Sequence, residues 1–190
     1  DYLHDKGFLI ANEIDSKRNA VLQENLLKWG CSNQAVSQLP TSKLSDLGAI
    51  FDLIVIDAPC SGEGMFRKDP FAVEQWSERL VEQCTTKQDE ILDDLSNCLR
   101  AQGILIYSTC TMNPSENENQ VSKLLDDGYE LALPEFDEFA EYLVPAMIND
   151  SCLGYYLLPG ISTGESLFFS VLRKLDSNYT RVKRGFSTKP

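Results

Sequence analysis

An α/β doubly wound sheet is the fold this sequence predicts, and three observations predict it. Phe51 to Asp57 (FDLIVID) and Ile104 to Thr109 (ILIYST) are apolar runs flanked by polar sequence, the pattern of strands buried on both faces of a mostly parallel sheet. Helical patterns alternate with the predicted strands, over Asp15 to Trp29, about 71–80 and about 82–100. Acids and thiols stand at the carboxyl ends of those strands, where ligands bind in open α/β sheets.

In chain order, Asp1 to Leu3 reads as the end of a helix, and Gly7 to Glu13 (GFLIANE) as a short apolar strand closed by an acid. Asp15 caps the following helix, Ala20, Val21, Leu26 and Leu27 form its apolar positions, and Gly30 ends it. Gln34 to Ser37 predicts a brief strand. A loop rich in Gly, Pro and Ser over 58–70 follows FDLIVID, and Gly103 stops the helix over 82–100. Pro114 suits the first turn of a helix running to about Asp127. Tyr129–Leu133, Tyr155–Leu158 and Leu167–Lys174 predict the last strands, with an antiparallel hairpin at the C-terminus. This organisation predicts one domain over 1–175, then a basic tail or the start of a further extension over 176–190.

Length and composition bound the function. The 190 residues are 43% hydrophobic and 24% charged, an ordinary globular balance. No run approaches the roughly 18 apolar residues of a membrane helix, and no signal peptide is visible, so the expectation is a cytoplasmic protein with no membrane partner. Six cysteines, at 31, 60, 84, 98, 110 and 152, show no C-x-x-C spacing, and the one histidine is His4. That pattern argues against zinc or any other metal. The net charge of −12 counts against nucleic acid as a partner, because phosphate contacts favour a basic face. Arg67-Lys68 and the stretch from Arg173 to Lys189 are local exceptions.

Four segments carry residues of chemical use. Glu13 ends its strand, where an acid can accept hydrogen bonds from the ribose hydroxyls of a nucleotide-like cofactor or simply cap a helix. Since Asp15 is the better cap, Glu13 is left free for the first role. Asp57-Ala58-Pro59-Cys60-Ser61-Gly62-Glu63-Gly64 puts a carboxylate, a stiffening proline, a thiol and two glycines into one loop after a buried strand. Ser108-Thr109-Cys110-Thr111 leaves the adjacent strand in the same way, so that Cys110 is a candidate nucleophile. A core position is the commoner fate of a lone cysteine, but two strand-end thiols facing one crevice weigh against it. Cys31, Cys84, Cys98 and Cys152 lack that setting and read as structural. The acids of Asn113-Pro114-Ser115-Glu116-Asn117-Glu118 are accounted for by the positive end of the next helix. Arg67 and Lys68 suit phosphates and equally suit plain solvation.

Taken together, FDLIVIDAPCSGEGMFRKDP and ILIYSTCTMNPSENE resemble motifs IV and VI of the Fmu/Sun-type RNA cytosine-5 methyltransferases, the bacterial small-subunit ribosomal RNA branch above all. ANEIDSKRNAVLQENLLKWG resembles motif II, and GESLFFSVLRK the last strands, so the resemblance covers nearly the whole chain. It implies a Rossmann-like class I methyltransferase sheet and S-adenosylmethionine (SAM) as cofactor. It also implies methylation of cytosine carbon-5 in RNA, ribosomal rather than transfer RNA. By this resemblance Cys110 is the nucleophile that adds to carbon-6, Cys60 assists product release, and Asp57 contacts the target base beside the cofactor. Glu13 holds the SAM ribose and Ser37 lies toward the adenine, although the Ala35–Gln38 stretch lacks the acid often found there. Pro59, Ser61, Gly62, Arg67 and Lys68 are the implied RNA contacts. The family's glycine-rich motif I, its first sheet strand and an upstream lysine have no counterpart in these residues, so the expectation is a fragment with an incomplete sheet that is inactive alone. DNA cytosine methyltransferases, which use a cysteine after proline, would leave Cys110 idle. A non-catalytic methyltransferase-fold module that binds RNA or protein is the alternative, opposed by the pairing of both cysteines with Asp57.

Overall fold

The FDLIVID run forms a strand with the predicted bounds, and the pairing around it organises most of the molecule. A computed structural model describes Leu3 and residues 6–176; the expected N-terminal helix end, apart from Leu3, and the basic tail beyond Asp176 lie outside the described residues. The chain folds as two compact units divided between Leu47 and Gly48.

In the first unit, β1 (Leu9–Asn12) and β2 (Gln34–Ser37) pair in parallel, connected by α1 (Ser16–Trp29). The Asp15 carboxylate accepts from Lys17 N and Arg18 N, while Gly30 in the left-handed region (φ 72°) sends its N–H back to Leu26 O and Leu27 O. Both ends of α1 are therefore set by the residues predicted to set them. Its side chains are not: Val21 and Leu27, expected on a buried face, are exposed, and the buried residue is Asn19. Asn19 Nδ2 donates to Glu13 O and Ser37 O and so ties the helix to both strand ends. A single helical turn, α2 (Thr41–Leu44), follows.

The second unit is a mixed sheet in the order β3-β4-β8-β7-β6, with β5 also on β8. Here β3 (Phe51–Asp57) and β4 (Leu99–Thr109) are parallel, and β8 (Leu167–Lys174) runs antiparallel to β4, β5 (Tyr129–Leu131) and β7 (Ser151–Leu157). The antiparallel part thus extends beyond a single hairpin. Tyr107 and Phe168, both fully buried, meet edge to face with ring centroids 6.3 Å apart at the centre. Burial of each such side chain is worth roughly 1.5–3 kcal/mol. One expectation for β3 fails. Ile54 and Ile56 are buried, but Leu53 and Val55 on the opposite face are 44% and 62% exposed. Among the described residues β3 pairs with β4 alone.

Element bounds between the two key strands also differ from expectation. The first helix is α3 (Pro70–Gln75), capped by Asp69; the second, α4 (Glu78–Ser96), begins where the Ser77 hydroxyl accepts from Leu80 N. The expected helix does not reach 100: residues 97–98 form a turn and Leu99 begins β4, pairing with Phe51 before a register shift. Gly103 is not a helix stop. It lies inside β4, where a Cβ would sit 2.7 Å from Leu99 Cδ1 and 2.9 Å from Arg100 O. The helix α5 (Glu118–Asp126) starts after turns over 114–117 and not at Pro114. An unexpected strand, β6 (Val144–Ile148), pairs with β7 through a tight turn at Asn149 and Asp150, whose φ values are 45° and 64°. Asn and Asp tolerate that left-handed backbone better than most residues.

Candidate active site

Parallel pairing in register brings the two cysteine loops together. Asp57 is opposite Ser108 in the β3–β4 ladder, and Ala58 N extends it with a 2.9 Å bond to Ser108 O. The loops that follow are then bonded to each other along their length. Cys60 Sγ lies 3.2 Å from Cys110 Sγ, and Ser61 Oγ 3.1 Å from Thr111 Oγ1. Gly64 N donates to Cys110 O at 2.9 Å. Glu63 bridges back, accepting from Met112 N at Oε2 (3.2 Å) and from Asn113 Nδ2 and Trp76 Nε1 at Oε1 (3.3 and 3.0 Å). Asp57 and Pro59 are exposed at the mouth, Cys60 and Cys110 half-buried, and Ser61 buried beneath them. Gly62, at φ 74°, turns the chain toward Glu63.

Beneath these loops is a layer that sequence reasoning assigned to helix electrostatics. Glu116, Asn117 and Glu118 are buried, before and at the first turn of α5. Glu116 Oε2 accepts from Ser61 N (2.9 Å) and Gln88 Nε2 (3.1 Å), and the same Gln88 amide donates to Pro59 O (2.8 Å). Asn117 Oδ1 accepts from Thr109 Oγ1 at 2.6 Å, and its Nδ2 donates to Thr111 O at 2.9 Å, so one amide spans Cys110. Glu118 Oε1 accepts from Tyr156 Oη (2.8 Å). A sequence signal for this layer did exist in α4: Gln88 interrupts an otherwise apolar buried stripe of Val81 and Leu92.

The contact between the sulfurs separates the two thiols. Either sulfur can donate in this contact; donation from the Cys60 thiol is the main reason Cys110 is lowered to about 7, against the opposing effects of burial and of the Asp57 and Glu116 charges. The same bond, then burial and then the Cys110 charge, push Cys60 well above the ordinary thiol range. The two thiols titrate together, so the lowered first ionisation belongs to the pair, with the anion favoured on Cys110. Burial raises the Glu116 carboxyl, more than its bonds from Ser61 and Gln88 lower it. Cys84 is pushed up to about 11 by burial and then by the Glu116 and Cys110 charges, so it is not a competing nucleophile.

The remaining predicted residues are engaged in ways the sequence did not indicate. Glu13 is not wholly free: its Oε1 accepts from Asp15 N (2.8 Å) and Arg18 Nη2 (3.0 Å), while Oε2 has no bond among the described residues. Ser37 lies beside it, since Glu13 N donates to Ser37 O (3.2 Å), and Ser37 Oγ donates to Asn12 Oδ1 (2.8 Å). Arg67 Nη2 and Lys68 Nζ both reach Glu165 Oε1, at 3.0 and 3.2 Å, and these cations, Lys68 first, hold that carboxyl below its ordinary range. Among the described residues no group of His, Cys, Asp and Glu is arranged to hold a metal, and no helix is long and apolar enough to cross a membrane.

Comparison with known proteins shows the family. The chain is 33% identical over 177 residues to the ribosomal RNA small subunit methyltransferase F of Aliivibrio fischeri (strain MJ11), covering 92% of this chain and 37% of that one. It is 40% identical over 179 residues to the protein of the same name from Escherichia coli O157:H7, covering 90% and 36%. The chain therefore spans little more than a third of the length of these curated relatives. Among solved structures, NSun6 from Pyrococcus horikoshii with SFG superposes with a TM-score of 0.78 at 27% identity, over 92% of this chain and 43% of that one. PH0851 gives the same TM-score at 20% identity, covering 88% and 37%, a likeness of fold. A family model described as 16S rRNA methyltransferase RsmB/F matches residues 1–173, and the chain belongs to that family.

Proposed function

We propose that the protein carrying this chain transfers a methyl group from SAM to carbon-5 of a cytosine in RNA, with Cys110 as nucleophile. The observation that carries this reading is the pair of thiols, 3.2 Å apart, at the ends of neighbouring parallel strands, where their contact favours the anion on Cys110 and raises Cys60. Cytosine carbon-5 is a weak nucleophile. Addition of the Cys110 thiolate to carbon-6 forms an S–C6 bond and moves the 5,6 π pair onto carbon-5. SAM supplies the methyl group that carbon-5 takes up. Cys60 then has a distinct task. Once Cys110 is bonded to carbon, the anion that held the Cys60 proton is gone, and so is the main cause of its raised pKa. Cys60 can pass that proton to water at the open mouth, take the carbon-5 proton as a thiolate, and let the S–C6 electron pair return to Cys110, which leaves as thiolate as the 5,6 double bond re-forms. Asp57, exposed at the mouth with no side-chain bond among the described residues, is available to the base amino group. The base must leave its stack to reach these groups.

Glu13 fits the cofactor in part. Its unbonded Oε2 can accept from a ribose hydroxyl, with Ser37 alongside toward the adenine. Pro59, Ser61 and Gly62 shape the base pocket, and Arg67 and Lys68 meet phosphate when they exchange Glu165 for it. Ribosomal RNA is the proposed substrate because the curated relatives carry that name. The net charge of −12 favours a second reading, a non-catalytic binding module.

The test is methyl transfer from labelled SAM to small-subunit ribosomal RNA by the full polypeptide that carries this chain. Cys110→Ala should lower the rate by about a thousandfold or more. Cys60→Ala should trap a covalent RNA adduct that migrates slowly on a denaturing gel. An adduct from Cys110→Ala and none from Cys60→Ala would reverse the two roles. No labelling of ribosomal or transfer RNA by a folded protein that binds SAM would favour the binding module.

A further inference from the structure

The methylation scheme uses Asp57, Cys60 and Cys110 and gives no task to Glu116, which is fully buried directly beneath them. Its Oε2 accepts from Ser61 N, and its partner Gln88 holds Pro59 O, so the residues on both sides of Cys60 are bound to one Gln88–Glu116 unit. The unit is itself fixed, because Tyr107 Oη donates to Glu116 O at 2.7 Å and Glu116 N donates to Asn113 O at 3.1 Å. Glu116 Oε1 and Gln88 Oε1 are buried without partners, and among the described residues no cation pairs with the carboxylate. A buried carboxylate with no cation is costly. A glutamine would offer Ser61 the same acceptor, so the acceptor alone does not explain the acid.

We propose that Glu116 is a positioning residue with two opposed effects on Cys110: Oε2 holds the Cys60 loop so that its thiol donates to Cys110, while the negative charge restrains the Cys110 thiolate. The titratable groups that act on Cys110 are Asp57 at the end of β3, Cys60 in the loop after it, Cys84 on α4 and Glu116 itself. Of these, only Glu116 both bonds the Cys60 loop and carries a charge beneath the sulfurs. The restraint adds to burial and the Asp57 charge, which oppose ionisation of Cys110 more strongly.

The inference rests on Cys110 as nucleophile, but its test needs neither RNA nor SAM. Iodoacetamide alkylation of Cys110 would be followed across the neutral pH range in the full polypeptide, read peptide by peptide by mass spectrometry. Wild type should show a midpoint at about 7. Glu116→Gln keeps the acceptor and removes the charge, so Cys110 should react about three- to tenfold faster below the midpoint. Glu116→Ala frees the loop; at neutral pH the thiolate fraction should fall from about half to a few per cent, slowing alkylation about tenfold. Adding Cys60→Ala to Glu116→Ala should slow it no further, because both remove the same donor. If Glu116→Ala does not fold, Gln88→Leu cuts the same support and should slow alkylation in the same direction. Opposite shifts from Glu116→Gln and from the loop-freeing variant establish the proposal; shifts of one sign, or none, overturn it. Methyl transfer measured separately distinguishes the failures, since thiol behaviour as described without RNA methylation would sink the proposed function and leave this role intact.

Discussion

At position 64 the backbone of one cysteine loop lies against the backbone of the other, and an added Cβ would sit 2.6 Å from Cys110 O and 2.9 Å from Ser166 Cβ. Neither neighbour is the end of a flexible side chain. Gly64→Ala should therefore destabilise the protein by about 1–3 kcal/mol, measured by thermal unfolding, and lengthen the bond from Gly64 N to Cys110 O. Slower Cys110 alkylation in the folded variant should accompany the loss; an unchanged melting temperature and thiol profile would show that the loops can separate freely. At this scale the sequence was legible where residue type and strand end coincided. Asp57, Cys60 and Cys110 are unusual residues at predicted strand termini, and the structure brings the loops bearing them together. Glu116 was not legible, because acids before a helix already have a sufficient local explanation. Its burial comes from Gln88 and the Cys60 loop, partners 28 and 55 residues away in sequence. Arg67 and Lys68 were legible as a basic pair, but Glu165, lying 98 residues beyond Arg67, was not legible as their partner.

The elements follow the same division between local and distant causes. Where a cap or a continuous pattern decides an element, as in α1, β2, β3 and β8, its bounds could be read from the sequence. Between α4 and β4 they could not. Leu99 to Gln102 has no strand signal of its own and is recruited by pairing with Phe51, and the glycine that looks like a helix stop is there for close packing on Leu99. Pro145 hid β6 in a comparable way, since proline argues against a strand except at a sheet edge, and β6 is an edge. The position of α4 matters for function because it delivers Gln88 to the Cys60 loop. Its Ser77 cap accepts from Leu80 N at 3.1 Å, and Ser77→Ala should cost about 1 kcal/mol in thermal unfolding. Since the cap is three turns from Gln88, Cys110 alkylation should be unaffected.

For the whole molecule, the balance of charge and surface sets behaviour that no single site shows. With a net charge of −12, and with Arg67 and Lys68 paired to Glu165, the described surface offers a polyanion little general attraction, so on the proposed function RNA contact would rest on the pocket and not on a broad basic face. The strand β3 has a different consequence. Its outer edge is unpaired among the described residues, and Leu53 and Val55 face outward between Asp52 and Asp57. An open apolar edge is a template for another strand, and in a concentrated solution of this chain the β3 edge of a second copy is available to pair with it. Left uncovered, the edge makes the chain prone to stack on itself, and the charge of one flanking aspartate, Asp52, is offset by its ion pair with Arg100. Sedimentation velocity on the 190-residue chain should show growth in mass with concentration, and Val55→Lys should suppress it without loss of fold. The strand that aligns the two cysteines is thus also the surface through which the chain would leave solution.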